Sequence, residues 1–161
     1  MRPALEHMAT VDEVLRRAGE LSPKTVIFDV EPLVAYWDSG QEELDRGVEH
    51  VLALARAIPG VQVVCFATNS LRRPSAPLAG AGVRAVYLAS AGKPLRTAFY
   101  QGFPRPGVVI GDQLGTDGAL ARRLGYAFLQ YRPDPGSIPA GPRLMDWCGR
   151  LIRPLLFTRP R

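Results

Sequence analysis

The sequence predicts an α/β domain whose mainly parallel, five-stranded sheet is covered by helices on both faces. Five short apolar, β-branched runs alternate with segments of helical periodicity. The runs are apolar at successive positions, which is typical of parallel strands buried on both faces. A length of 161 residues, 47% of them hydrophobic and 22% charged, indicates one globular domain spanning residues 1–161.

Local signals predict the elements of the first half of the chain. Thr10 and Glu13 have the spacing of a capping box, which predicts an N-terminal helix over 10–19. Apolar residues recur on one helical face between positions 42 and 58, where a Pro-Gly pair ends the helix. Two apolar runs predict the first strand over 25–30 and the second over 61–67.

The second half of the chain predicts shorter elements. Its three strands are expected over 83–89, 108–110 and 126–131. Its helices are expected over 75–80, 93–102, 115–124 and 143–157, the last interrupted near Pro154. The core of the domain then covers about residues 22–133, and the helix over 10–19 and a basic segment over 142–161 are appendages.

Composition and charge exclude several classes of function. The net charge is +5, and residues 132–161 carry six arginines against two aspartates. These arginines do not form, together with aromatic residues, the single face that is typical of a nucleic-acid module, so no nucleic-acid partner is expected. The chain has no apolar run long enough to span a membrane and no signal-peptide core at its N-terminus, which predicts a cytoplasmic protein. Two distant cysteines have no zinc-ligand spacing.

Small, polar or charged residues stand just past four of the predicted strands. In chain order they include Asp29 and Glu31, Thr68 and Asn69, Lys93, and Asp112 with Asp117. Ligand sites in parallel sheets lie at the carboxyl ends of the strands, so these side chains are expected to converge. Carboxylates that converge repel one another unless a cation lies among them, and oxygen ligands alone favour Mg²⁺.

Four segments resemble the motifs of the haloacid dehalogenase (HAD) superfamily of phosphoryl-transfer enzymes. They are DVEPLVAYWD at 29–38, TN at 68–69, KP at 93–94 and GDQLGTD at 111–117. The chain is most similar to the capless subclass IIIA phosphatases of the YqeG-like group, which are related to phosphatidylglycerophosphate phosphatases. The resemblance covers residues 25–133 and implies a three-layer, Rossmann-like fold without a cap domain.

The resemblance also implies a magnesium-dependent phosphatase mechanism. Asp29 would attack phosphorus and form an aspartyl-phosphate, Glu31 would exchange protons, and Lys93 would offset the negative charge. Magnesium would be held by Asp29, the backbone carbonyl of Glu31, Asp112 and Asp117. The Thr68 hydroxyl, with Asn69 beside it, would bind the phosphate.

Chain spacing indicates the size of the substrate. Only 39 positions separate Asp29 from Thr68, and 25 separate Thr68 from Lys93. Neither interval holds a cap domain, so an open site for a bulky phosphorylated substrate, such as a lipid or a macromolecule, is expected.

The first motif departs from the family: a gapless match puts Glu31, Pro32 and Leu33 where the family has a second Asp, a small polar residue and Thr. A one-residue shift would instead align Leu33 and Val34 with the family's Leu-Val, and in either case the Thr hydroxyl is missing. The carboxylate of Glu31 reaches one methylene further than that of Asp, and displacing a catalytic group by about 1 Å can lower the rate on the order of a hundredfold. The alternative function is therefore a catalytically degenerate scaffold that binds metal or phosphate and a partner protein.

The C-terminal segment has two interpretations. Leu144, Trp147, Leu151 and Leu155 share one helical face among several arginines. This face either packs on the sheet or contacts anionic lipid as a peripheral membrane helix.

Overall fold

The computed structural model describes residues 6–132 and 140–156, which form an all-parallel sheet flanked by helices. The strands are β1 (Glu6–Met8), β2 (Thr25–Asp29), β3 (Val63–Ala67), β4 (Arg84–Leu88), β5 (Gly107–Gly111) and β6 (Ala127–Tyr131). The helices are α1 (Val11–Glu20), α2 (Gln41–Arg56), α3 (Ala119–Leu124) and α4 (Ala140–Leu156). The strand order is β1-β6-β5-β2-β3-β4. An α/β fold with a parallel, Rossmann-like sheet is thus confirmed.

Within the part of the chain that the structure describes, the sheet has six strands rather than the five expected from the sequence. The additional strand is β1, which pairs in parallel with β6 at the sheet edge. Its sequence, Glu-His-Met, is three residues long and has neither an apolar run nor a β-branched residue. The pairing with β6 therefore creates a strand that local sequence does not predict.

Two expected helices do not form. Residues 75–80 are irregular, because Pro77 lies inside the segment and has no N–H to donate within a helix. Residues 93–102 contain only a single 3₁₀ turn, Ala98–Tyr100. The apolar side chains of Leu95 and Phe99 in this segment are exposed, so little burial is available to stabilise a longer helix.

The remaining helices follow the expectation more closely. The capping box predicted at the start of α1 is present, with the Glu13 N–H donating to the Thr10 hydroxyl and the Glu13 carboxylate accepting from the Thr10 N–H. The helix predicted over 115–124 forms as a π-helical turn, Leu114–Gly118, followed by α3. In α4, Pro154 lies within the helix and does not interrupt it, contrary to the expectation.

Alternate residues of the strands point to opposite faces of the sheet and contribute to a separate hydrophobic core on each face. On one face, Val26, Phe28 and Phe66 pack with the apolar sides of α1 and α2. On the other, Ile27 and Cys65 pack with α3 and the segment around Tyr100. All five residues of β2, β3 and β5 are buried, as a parallel sheet covered on both faces requires.

The strand order places a topological switch point beside β2. From β2 the chain proceeds to β3 and β4 on one side, and then returns to β5 on the other side of β2. The loops that leave β2 and β5 therefore diverge and open a crevice at the carboxyl ends of these strands. No helix among the described residues is both long and apolar enough to cross a membrane.

Candidate functional site

Three carboxylates converge at the switch point. Asp29 is the last residue of β2, Asp112 follows β5, and Asp117 lies in the π-helical turn. One oxygen from each lies within 4.8 Å of the others. The expected convergence of Asp29 with Asp112 is confirmed by this distance. A separation of their carboxylates by more than about 8 Å would have excluded a shared magnesium ion.

Gly111 explains how Asp117 comes so close to the end of β5. A Cβ atom built on Gly111 would lie 2.4 Å from the Asp117 carboxyl carbon, which is far inside van der Waals contact. Only a residue without a side chain fits there, so the glycine of the GDQ sequence makes room for the buried carboxylate. Asp117 is completely buried as a result.

Lys93 is the cation that faces this cluster. Its Nζ lies 2.8 Å from Asp29 Oδ1 and 2.7 Å from Asp117 Oδ1, and its side chain is only 2% exposed. Burial disfavours the ammonium, but the charges of Asp117 and Asp29 outweigh burial and raise the pKa of Lys93 above its usual value. Lys93 therefore stays protonated and neutralises part of the charge of the cluster.

Lys93 alone does not compensate the negative charge of the three carboxylates. Burial and the neighbouring charge of Asp117 raise the pKa of Asp29 well above its usual value, although Lys93 opposes the shift. The same two causes raise the pKa of Asp112 to about 8. In addition, Asp112 Oδ1 is buried and has no hydrogen-bond partner among the described residues. An unpaired buried oxygen beside two further carboxylates fits a divalent cation.

Asn69 fixes the backbone of Lys93. The Lys93 N–H donates to Asn69 Oδ1 at 2.8 Å, and Asn69 Nδ2 donates to the Lys93 carbonyl at 3.1 Å. This pair of bonds ties the loop after β3 to the loop after β4. Substrate binding by Asn69 remains a prediction, whereas its side-chain amide is bonded to Lys93 on both sides.

Glu31 lies in a separate hydrogen-bond network on the same edge of the sheet. The Thr68 hydroxyl donates to Glu31 Oε2 at 2.6 Å, and the Ser70 hydroxyl lies 3.3 Å from Glu31 Oε1. The Arg72 guanidinium lies 3.6 Å from the same carboxylate and also donates to the backbone carbonyls of Tyr36 and Ser39. The side chain of Glu31 is therefore held by the loop after β3. Metal contact through its backbone carbonyl remains a prediction.

These groups surround an open cleft of about 380 Å³. Five of its lining residues are those expected from the sequence: Asp29, Glu31, Thr68, Asn69 and Lys93. Sequence reasoning assigned no role to the others: Trp37, Ser70, Arg72, Gln113 and Thr116. All ten lie at or shortly after the carboxyl end of a strand, so position relative to the strands was the signal that could have identified the second group. Asp112 and Asp117 belong to the adjoining carboxylate cluster.

The arrangement combines a buried carboxylate cluster that could bind a cation with a polar cleft lined by hydroxyl, amide, guanidinium and indole groups. Such a site can hold an anionic group between cations and hydrogen-bond donors while a carboxylate faces it. No family model, curated protein or solved structure matches this chain, so the case for its function depends on this geometry.

Proposed function

We propose that this protein is a magnesium-dependent phosphatase of the HAD type, which hydrolyses phosphomonoesters through an aspartyl-phosphate on Asp29. The observation that carries the proposal is the position of Lys93, bonded to both Asp29 and Asp117, next to the unpaired Asp112 oxygen. Transfer of a phosphoryl group to a carboxylate requires positive charge around both groups. In this cluster, Lys93 and a bound cation would supply that charge.

Asp29, Asp112 and Asp117 would hold the magnesium ion. Two ligands of one octahedral ion lie at most about 4.2 Å apart, twice the metal–oxygen distance of about 2.1 Å. Only one pair among three ligands can have this trans arrangement, and the other pairs lie about 3.0 Å apart. The three carboxylate oxygens lie within 4.8 Å of one another, so they would move closer together on binding the ion. When bound, the ion would neutralise charge on the transferring phosphoryl group and orient it toward the nucleophile.

Asp29 would act as the nucleophile. Its carboxylate oxygen would form a bond to phosphorus while the bond from phosphorus to the leaving oxygen breaks. Lys93 favours the ionised form of this carboxylate and so opposes the effect of burial, because its ammonium donates to Asp29 at 2.8 Å. A bound cation would favour the ionised form further. Water would then attack the phosphorus of the aspartyl-phosphate, releasing inorganic phosphate and regenerating Asp29.

Glu31 would supply the proton that the leaving oxygen needs and later accept a proton from the attacking water. Its carboxylate lines the same cleft as Asp29, and its hydrogen bonds with Thr68 and Ser70 restrict its rotation. A fixed carboxylate beside the nucleophile is suited to general acid and base catalysis.

An open cleft supports a bulky phosphorylated substrate. Between Asp29 and Thr68 the chain forms α2 and β3, and between Thr68 and Lys93 it forms only β4 and irregular segments. Neither interval builds a domain over the cleft. A phosphate carried on a lipid or a macromolecule would therefore reach Asp29 without a closure step.

A degenerate scaffold is the second candidate, and one contact favours it. In the phosphatase, the Thr68 hydroxyl would donate a hydrogen bond to the phosphate. In the structure it donates to Glu31 at 2.6 Å. While this bond exists, the hydroxyl proton is not available to a phosphate oxygen. A protein that kept this pair bonded would bind metal without turning over a substrate.

The test is hydrolysis of a generic aryl phosphate by the wild type and the Asp29→Asn variant, each with and without magnesium. We expect magnesium-dependent hydrolysis that is lost in Asp29→Asn and retained in Asp12→Asn, which makes the same change at an exposed position of α1. Magnesium binding without hydrolysis in the wild type would favour the scaffold. Hydrolysis that persists in Asp29→Asn would contradict the phosphatase mechanism.

A further inference from the structure

Four large apolar side chains form an exposed stripe along α4, which we call the α4 face. Leu144, Trp147, Leu151 and Leu155 are 63%, 59%, 64% and 63% exposed. Their spacing of three and four residues places them on one side of the helix. Single exposed apolar residues are common on protein surfaces, whereas a contiguous stripe of this kind marks an interaction surface.

The α4 face is not the side by which the helix is attached to the domain. Gly149 is buried, and a Cβ atom added to it would lie 3.2 Å from the Cβ of Leu114 in the π-helical turn. Arg122 of α3 also donates to the Leu155 carbonyl at 3.0 Å. The interpretation that packs the four apolar residues on the sheet is therefore wrong, because α4 packs through its glycine side and exposes them.

Positive charge borders the α4 face. Residues 140–156 contain three arginines and one aspartate, and two further arginines follow at 159 and 161. Arg143 and Arg150 lie at one border of the face by helical geometry, and both are exposed. Asp146 accepts from Arg150 at 2.8 Å and offsets its charge, so three arginines against one aspartate leave residues 140–156 with a net charge of +2.

We infer that the α4 face binds an anionic lipid surface, with the helix lying in the plane of the membrane interface. An apolar stripe inserts among acyl chains, a tryptophan is favoured at the interface, and arginines bind lipid phosphates while their stems cover apolar surface. This inference does not depend on the proposed phosphatase activity, because it uses no residue of the cleft.

A second copy of this chain is a poorer occupant of the same face. Pairing two antiparallel α4 faces about a two-fold axis would place their arginine borders on the same side of the pair. Like charges at such an interface oppose association, whereas lipid phosphates attract the same arginines. Charge complementarity therefore favours the lipid surface.

The experiment measures co-sedimentation of the full-length protein with vesicles. We expect binding to equimolar phosphatidylglycerol and phosphatidylcholine, little binding to phosphatidylcholine alone, and weaker binding as salt is raised. Replacing one leucine or tryptophan that inserts into the membrane should weaken partitioning into the vesicles by about tenfold. Leu151→Ser and Trp147→Ser are the variants, and both change side chains that are more than half exposed.

Leu95→Ser is the matched control, since it makes the same change at a leucine that is 75% exposed on a different loop. It should bind vesicles as the wild type does. The inference would be overturned if the wild type did not bind vesicles or bound both kinds equally. It would also be overturned if Leu95→Ser and Leu151→Ser weakened vesicle binding to the same extent. A dimer in the absence of vesicles that Leu151→Ser dissociates would also overturn it, and would assign the α4 face to a second copy.

Discussion

The ammonium of Lys93 lies 2.7 Å from the carboxylate of Asp117, and both side chains are almost completely buried. The same ammonium also reaches Asp29, so one cation compensates two carboxylates that are 24 and 64 positions away in the chain. Such a pair is costly to break, because the remaining partner becomes an uncompensated buried charge.

Replacing Lys93 by methionine should destabilise the metal-free protein by about 3–5 kcal/mol. The change preserves side-chain volume but leaves Asp29 and Asp117 without the cation that pairs with both. Urea unfolding of the metal-free proteins measures this difference. Lys24→Met is the control, because Lys24 is the other lysine of the chain and is exposed. Equal unfolding midpoints for the two variants would contradict the ion pairs.

Asp112→Asn should weaken magnesium binding, because it removes a charged ligand from a site with few others. Titration calorimetry of magnesium into the wild type and the variant measures the change. Asp38→Asn, at an exposed position of the loop after β2, should leave the affinity unchanged. Unchanged affinity in Asp112→Asn would refute its assignment as a ligand.

The stability of the metal-free protein should depend on pH through Asp112. Its pKa rises from 3.8 to about 8 on folding because of burial and Asp117, so the folded state binds the proton more tightly than the unfolded state. Stability from this group is present below the unfolded pKa and is lost as pH rises toward about 8. Asp112→Asn should remove this loss.

Urea unfolding of the metal-free wild type and Asp112→Asn at several pH values tests that sign. The variant should gain stability relative to the wild type as pH increases from about 4 to about 8. A constant difference across this range would show that Asp112 does not titrate abnormally, and a difference of the opposite sign would show that its charged form is the favoured one.

Substitutions at Glu31 separate catalysis from a passive role. If Glu31 exchanges protons, Glu31→Gln should lower turnover of an aryl phosphate by about a hundredfold or more. Glu31→Asp keeps a carboxylate and should preserve or raise turnover. Glu42→Gln, on the exposed first turn of α2, provides the control. Equal rates for all these proteins would exclude Glu31 from catalysis.

A large part of the cleft could be predicted because its residues follow strands that are recognisable locally. Asp29, Thr68, Lys93 and Asp112 each stand at or just after a predicted strand, and parallel strands end at one edge of the sheet. Strand β1 could not be predicted in this way, because its three residues become a strand only by pairing with β6.

The sequence by itself determined the parallel sheet and the polar residues at its carboxyl edge, since a continuous apolar run and the position where it ends are local properties of the chain. Only the tertiary structure decided which of these residues bond to each other. Thr68 reaches Glu31 across 37 positions, and Asn69 reaches Lys93 across 24.

The same limit applies to α4. Its amphipathic sequence predicted a helix, but the direction in which the apolar stripe points depends on the side by which the helix is attached. The structure seats buried Gly149 against Leu114, because a residue without a side chain allows the closest approach of the two backbones, and the four apolar side chains consequently face outward.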